Sequence, residues 1–190
     1  MHAVGRAGGV VGKRVRVYGA GPVGMLVAGV CGVEGAVEVE VVDVNVGRLD
    51  MVKEMGWATA TVVAGEARGE AEFDVAFECS GVEASVAGSI GAVRAGGVVV
   101  LVGMGKAVME VPVALAALRE VDVRGSFRYA DTYPKAVELV QSGKLKGLEK
   151  VVTHTFRGMG AVEQAFETAL KGVGEDGKPV LKVECVFSEE

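Results

Sequence analysis

Cysteine is scarce in this sequence, histidine scarcer still, and neither is clustered. The three cysteines, Cys31, Cys79 and Cys185, stand far apart with no C-x-x-C pair, which excludes a disulfide framework and a four-cysteine zinc lobe and fits a reducing compartment. The two histidines, His2 and His154, are too few and too isolated for a metal cluster, and His154 is expected to pack in a strand or lie at the surface. No apolar run reaches the roughly 18 residues needed to cross a bilayer. The first residues, Met1-His2-Ala3-Val4-Gly5-Arg6, lack the basic-then-apolar layout of a signal peptide, so a soluble cytoplasmic protein with no membrane partner is expected. Lys and Arg number 20 against 25 Asp and Glu, for a net charge of -5. No stretch gathers the basic residues into the stripe that nucleic-acid binding requires, and nucleic acid is not an expected partner.

What is present is a globular composition. Over 190 residues, 50% are hydrophobic and 24% charged, enough for one sizeable core and too apolar for a disordered chain. The 29 glycines are about twice the usual share and have no strict period, so they read as tight turns. Val-rich strand patterns alternate with helical ones: strands near residues 14–18, 37–43, 60–63, 73–79, 98–103 and 121–127, with helices from about residue 22, at 48–55 and at 83–93. The first strands form a β-α-β unit of about 30 residues. The whole predicts an α/β fold, a doubly wound parallel sheet of order 3-2-1-4-5-6 covered by helices on both faces. The acidic stretch 66–72 reads as a solvated loop.

Past Gly143 the texture changes. A basic, polar stretch leads into a strand at 151–156, a helix at 161–171 and a strand at 180–187, too few elements for a separate core. The boundary is placed between residues 145 and 146.

Gly19-Ala20-Gly21-Pro22-Val23-Gly24 is a G-x-G-x-x-G directly after the first strand and directly before an apolar helix. Gly19 permits the tight turn, Gly21 lets a pyrophosphate approach the backbone, and Gly24 allows close helix packing. The helix N-terminus supplies free N–H groups, and Pro22 suits its first turn. Alone such a motif can be a ligand-free turn; between a strand and a helix it points to dinucleotide binding in a Rossmann fold.

Asp43 closes the second strand, where a carboxylate can accept hydrogen bonds from adenosine ribose hydroxyls and repel a 2′-phosphate, favouring NAD over NADP. The alternative is a helix-capping Asp that touches no ligand. Arg48 could stack over the adenine or simply lie at the surface. Cys79-Ser80-Gly81 and Val102-Gly103-Met104-Gly105 end two further strands at the edge where ligands of doubly wound sheets gather, and their backbone groups could fix a nicotinamide. Cys79 reads as a small buried side chain rather than a nucleophile.

These residues resemble the medium-chain zinc-dependent dehydrogenases, in their sorbitol and xylitol (polyol) branch. The resemblance rests on residues 17–24, on Glu78-Cys79-Ser80-Gly81-Val82-Glu83, on residues 102–105 and on the stretch from Arg119-Glu120-Val121-Asp122 to Phe127-Arg128-Tyr129. Val152-Thr153-His154, Ala165-Phe166-Glu167 and the turn Gly174-Glu175-Asp176-Gly177-Lys178 extend it over nearly the whole chain.

The resemblance implies NAD-dependent oxidation of a polyol's secondary alcohol to a ketose, with zinc polarising the substrate oxygen while hydride passes to the nicotinamide. It places Val23, Asp43, Arg48, Cys79, Ser80, Gly81, Val102, Gly103, Met104 and Phe127 at the cofactor, and Arg128 and Tyr129 near the substrate. A strand end with a surface Arg and a packed Tyr is the plainer reading of that pair. It also implies that residues 1–145 are the NAD-binding domain and that 146–190 are a short remnant of the catalytic domain. The family's zinc ligands, Cys, His and Glu, would then precede Met1, the chain would be a truncated, inactive form, and apolar surface would be exposed in its last segment. A homo-dimer or tetramer paired through the sheet edge follows from the same resemblance. Two other readings are a noncatalytic NAD-binding subunit and an S-adenosylmethionine methyltransferase. The latter is disfavoured by the Pro22-opened helix and by the lack of an acidic residue just before Gly19.

Overall fold

Two adjacent strands, β1 (Arg14–Tyr18) and β2 (Glu38–Asp43), alternate charged and apolar residues, and the two-residue period of a strand sorts the two kinds onto opposite faces. Val15, Val17, Val39 and Val41 are all at most 2% exposed. On the opposite face the parallel register sets Arg14 beside Glu38 and Arg16 beside Glu40. Both pairs close as ion pairs at 2.6 Å. In the computed structural model, which describes residues 1–66 and 71–187, these strands lie inside a six-stranded parallel sheet. Its remaining members are β3 (Ala60–Val63), β4 (Phe73–Glu78), β5 (Val93–Leu101) and β6 (Asp122–Gly125), in the order β3-β2-β1-β4-β5-β6. This is the expected doubly wound order.

Helices α1 (His2–Arg6), α2 (Pro22–Val33), α3 (Val46–Glu54), α4 (Glu83–Ala92), α5 (Val113–Leu118) and α6 (Tyr133–Gln141) complete this part of the chain. Helices α2 and α3 pack on β1 to β3, and α4 on β1, β4 and β5. Tyr18, Val42, Phe73, Ala76, Ile90 and Val99 form the core on the α4 side. Burying a side chain of this size is worth about 1.5–3 kcal/mol.

Helices lie against both faces of the sheet, as expected, but among the described residues none covers both β1 and β2 on the α4 side. Among the described residues of the connection 64–72 there is no helix. The chain must cross from the far end of β3, over two strands, to the start of β4, a diagonal of about 25 Å at ~4.8 Å per strand spacing and ~3.3 Å per residue. Nine residues reach at most about 30 Å when extended, which leaves no slack for helical turns. The Arg/Glu pairs serve instead, with the Arg16 guanidinium stacked 4.1 Å above the Phe73 ring. The acidic stretch falls here: residues 67–70 lie outside the described ones, while Glu72 pairs with Arg14 at 3.4 Å.

Strand β5 starts earlier than residue 98, because Phe73 pairs with Val93 across a register shift. Gly96, with φ +70°, absorbs the irregularity, and Arg94 holds Asp74 at 2.7 Å.

The chain divides into two units, Met1–Lys146 and Gly147–Glu190. The second holds two parallel strands, β7 (His154–Arg157) and β8 (Val183–Val186), and helix α7 (Val162–Lys171). The strand expected at 151–156 begins later because Leu148–Val151 forms a 3-10 turn entered through Gly147, with φ +82°. His154 opens β7, its Nδ1 2.9 Å from Thr153 Oγ1 and its Nε2 3.4 Å from Asp176. Phe166 and Leu170 on α7 are 68% and 87% exposed, so apolar surface is open in this unit.

Candidate functional site

The turn between β1 and α2 shows three glycines with three different duties. Gly19 sits at φ +97°, in the region that L side chains avoid. At Gly24 a Cβ would lie 1.8 Å from the Gly19 carbonyl oxygen, so only glycine lets the first turn of α2 close against the loop. A Cβ at Gly21 would meet nothing within 4 Å, which leaves open space over the backbone at the helix N-terminus. Gly21 is the N-cap of α2, and Pro22 occupies its first turn, where a missing N–H costs nothing. First-turn N–H groups have no partner inside the helix and carry the positive end of its dipole, an arrangement suited to phosphate.

Asp43 faces this turn from the end of β2. Its Oδ2 accepts a hydrogen bond from Ala20 N–H at 2.6 Å and its Oδ1 one from Asn45 N–H at 2.8 Å. An ionised carboxylate offers about four acceptor sites, so two remain for hydroxyl donors. The helix-capping role considered for Asp43 belongs to Asn45, whose side chain accepts from Arg48 N–H at 3.1 Å. Arg48 itself is half-buried on the first turn of α3.

The loops after β4 and β5 interlock. Glu78 is 1% exposed at the end of β4, and its Oε1 accepts from Ser80 N–H at 2.9 Å and from the Ser80 hydroxyl. Gly81 N–H reaches both of its oxygens, at 3.0 and 3.1 Å. The Glu78 carbonyl accepts from Val102 and Gly103 N–H at 2.8 and 2.9 Å. A Cβ on Gly81 would come within 2.7 Å of the Met104 carbonyl, and one on Gly103 within 2.2 Å of Gly81 N. Burial pushes the Cys79 thiol up, and the Glu78 carboxylate adds to it, as befits a packed side chain rather than a nucleophile.

Phe127, Arg128 and Tyr129 follow β6 at the same sheet edge. The Arg128 guanidinium stands 5.0 Å over the Phe127 ring, Arg128 holds a left-handed φ of +50°, and Tyr129 packs edge-on to Tyr133 at 4.9 Å. Val23, Val44, Val82, Met104 and Phe127 are all more than half exposed along this edge, an apolar rim matched to flat aromatic groups. A cleft of about 640 Å³ has Gly19, Asp43, Val44, Ser80 and Val82 among its lining residues. The fold thus gathers the turns bearing residues 19–24, 43, 79–81, 102–104 and 127–129 at the carboxyl ends of its strands.

Residues 22–142 match the family model described as zinc-binding dehydrogenase. The chain belongs to the zinc-binding dehydrogenase family. It is 39% identical over 184 residues to sorbitol dehydrogenase of Gallus gallus, covering 92% of this chain and 51% of that protein. Its fold matches L-idonate 5-dehydrogenase from Escherichia coli with a TM-score of 0.86 at 33% identity, over 98% of this chain and 53% of the other. A protein assigned as a zinc-binding dehydrogenase from Sinorhizobium meliloti, solved bound to NADP, matches with a TM-score of 0.83 at 25% identity, over 97% and 55%. This family member spans about half the length of the curated relatives it matches.

The family's metal finds no donor set here: among the described residues no group of three or more His, Cys, Asp or Glu side chains could hold a metal ion. Also among them, no helix is long and apolar enough to cross a membrane. The sequence alone does not mark Glu78 as a site residue. An acidic residue ending an otherwise apolar strand, directly before Cys79-Ser80-Gly81, was the available signal.

Proposed function

We propose that this dehydrogenase-family chain binds NAD at the carboxyl edge of its sheet and belongs to an oxidoreductase that converts a polyol's secondary alcohol to a ketose. The observation that carries the cofactor reading is the Asp43 carboxylate, hydrogen-bonded to the glycine turn while keeping acceptor sites for ribose hydroxyls. NAD, when bound, supplies the nicotinamide that accepts hydride from the alcohol carbon. Gly21 leaves room for the pyrophosphate, and the α2 N-terminus neutralises part of its charge. Asp43 takes the adenosine ribose and disfavours a 2′-phosphate by like-charge repulsion. The Ser80–Gly81 turn, braced by Glu78, and the Val102–Met104 loop hold the nicotinamide end. Arg128 and Tyr129 stand nearer the substrate. Similarity to sorbitol dehydrogenase supports the polyol class.

No step is assigned to zinc on this chain's own residues, since the described ones offer no donor set for it. These 190 residues alone are expected to bind NAD without oxidising sorbitol or xylitol. The same proposal includes a cytoplasmic protein and a homo-dimer or tetramer in which β6, the sheet's last strand, carries the pairing. Titration of the chain with NADH, read by nicotinamide fluorescence, tests the site. Saturable enhancement in wild type, lost in Gly21→Val, supports it, and enhancement of equal size in both removes it.

A further inference from the structure

Glu78 is a carboxylate where a neutral side chain could brace the same turn. It ends β4, in register with Tyr18 of β1 on one side and Leu101 of β5 on the other, at the point where the strand order reverses and ligands of doubly wound sheets sit. It is 1% exposed. Its donors are neutral: Ser80 N–H at 2.9 Å, the Ser80 hydroxyl, and Gly81 N–H at 3.0 and 3.1 Å. Among the described residues no lysine, arginine or histidine forms an ion pair with it. Burying a carboxylate with no cation beside it is costly. A glutamine amide oxygen could accept the same donors, since all three reach Oε1, so bracing alone does not call for a charge. A cation bound at the site does. Only the turn itself stands between Glu78 and that site: Ser80, which donates to it, lines the cleft with Gly19 and Asp43, and a Cβ at Gly19 would lie 3.2 Å from Ser80 N.

We propose that Glu78 sets the balance between the two redox forms of the cofactor, attracting the cationic ring of oxidised NAD and not the neutral ring of NADH. The proposal rests on the reading of the Ser80–Gly81 turn as the nicotinamide end of the site. Both forms carry the same pyrophosphate and riboses, so the effect of Glu78 on those groups is common to the two and cancels in their ratio. Hydride transfer adds two electrons and a proton to the ring and removes its charge. The attraction therefore acts on the cofactor that enters and not on the one that leaves. Two unit charges about 12 Å apart in a protein alter an affinity by about tenfold, so Glu78 needs no contact with the ring to exert it.

The test is calorimetric titration of the whole chain with NAD and with NADH, in wild type and in Glu78→Gln. The substitution is expected to lower the affinity for NAD relative to NADH by about tenfold. A residue that only braced the turn would change both affinities by the same factor, so an unchanged ratio overturns the proposal, as does a ratio shifted towards NAD. Should the variant not fold, or bind neither form, wild type is titrated with NAD and with benzamide adenine dinucleotide, in which a neutral ring replaces the cationic one. About tenfold tighter binding of NAD is then expected, and equal affinities overturn the proposal. If wild type binds neither NAD nor NADH, the cofactor reading fails and this inference with it. Binding of both forms with a ratio that Glu78→Gln leaves unchanged defeats this inference alone.

Discussion

Ala20 and Asp43 are joined by a 2.6 Å hydrogen bond from backbone N–H to carboxylate, which fastens the glycine turn after β1 to the end of β2. One side chain therefore fixes the shape of the glycine turn and, in the proposed site, keeps its remaining acceptors for the ribose. Asp43→Ser should weaken NAD by about tenfold or more, the scale of a lost charge-assisted hydrogen bond, and should narrow the preference over NADP. Titration of both cofactors against both proteins checks this; an unchanged NAD affinity would remove Asp43 from the site.

Gly21 and Gly24, three residues apart, should fail in different ways. Gly24→Ala places a methyl 1.8 Å from the Gly19 carbonyl oxygen, and such overpacking costs about 1–3 kcal/mol, visible as a lower urea midpoint. A Cβ at Gly21 meets no protein atom within 4 Å, so Gly21→Val should change stability by only about 1 kcal/mol, the scale of an altered helix N-cap. It should nevertheless abolish dinucleotide binding. Equal stability losses in the two variants would contradict this division of duties.

The Arg16–Glu40 pair, with side chains 4% and 13% exposed, takes the place of a covering helix. Glu40→Ala leaves the guanidinium buried without this carboxylate and should cost about 3 kcal/mol in urea unfolding. Replacing both partners by leucine should restore most of that loss. A double variant as unstable as the single one would show that the pair supplies more than mutual compensation.

The expected carboxyl-edge site could be read from local spacing: a glycine turn set between strand and helix, then an acid closing the next strand. The part of the α4 face left without a helix was also written in the sequence. Strands buried on both sides tend to be continuously apolar, whereas RVRVY and EVEVVD alternate; matching Arg16 to Glu40 required the parallel register, which is a property of the pair. The early start of β5 was hidden for a similar reason, since Arg94 to Gly97 looks like a turn until Val93 pairs with Phe73. Glu78 escaped notice because its partners, Ser80 and Gly81 N–H, converge on it only when the loop folds back.

Thiol chemistry gives another check. Burial pushes Cys31 up to about 12, with Glu34 adding to it, and Cys79 is pushed up by burial and Glu78. At mildly alkaline pH an aromatic disulfide reagent should modify no more than one of the three cysteines in the native protein and all of them after unfolding. Rapid reaction of two or more native thiols would contradict the packing of Cys31 and Cys79.

Acid stability should depend on Asp74. Burial works to raise its carboxyl, but the Arg94 side chain at 2.7 Å and Arg14 N–H at 2.8 Å outweigh it and hold the group below its ordinary value of 3.8. The unfolded chain then takes up the proton more readily than the folded one. The stabilisation is therefore fully present above the ordinary value and is lost as pH falls below it. Asp74→Asn should flatten the decline of the urea midpoint in that acid range; an unchanged decline would rule Asp74 out as its source.

The most direct measurement is calorimetric titration of the purified chain with NAD and NADP. Saturable binding of NAD at one site per chain, with NADP bound more weakly, is the expected result. Absence of NAD binding, or a preference for NADP, would contradict the role given to Asp43 and the glycine turn.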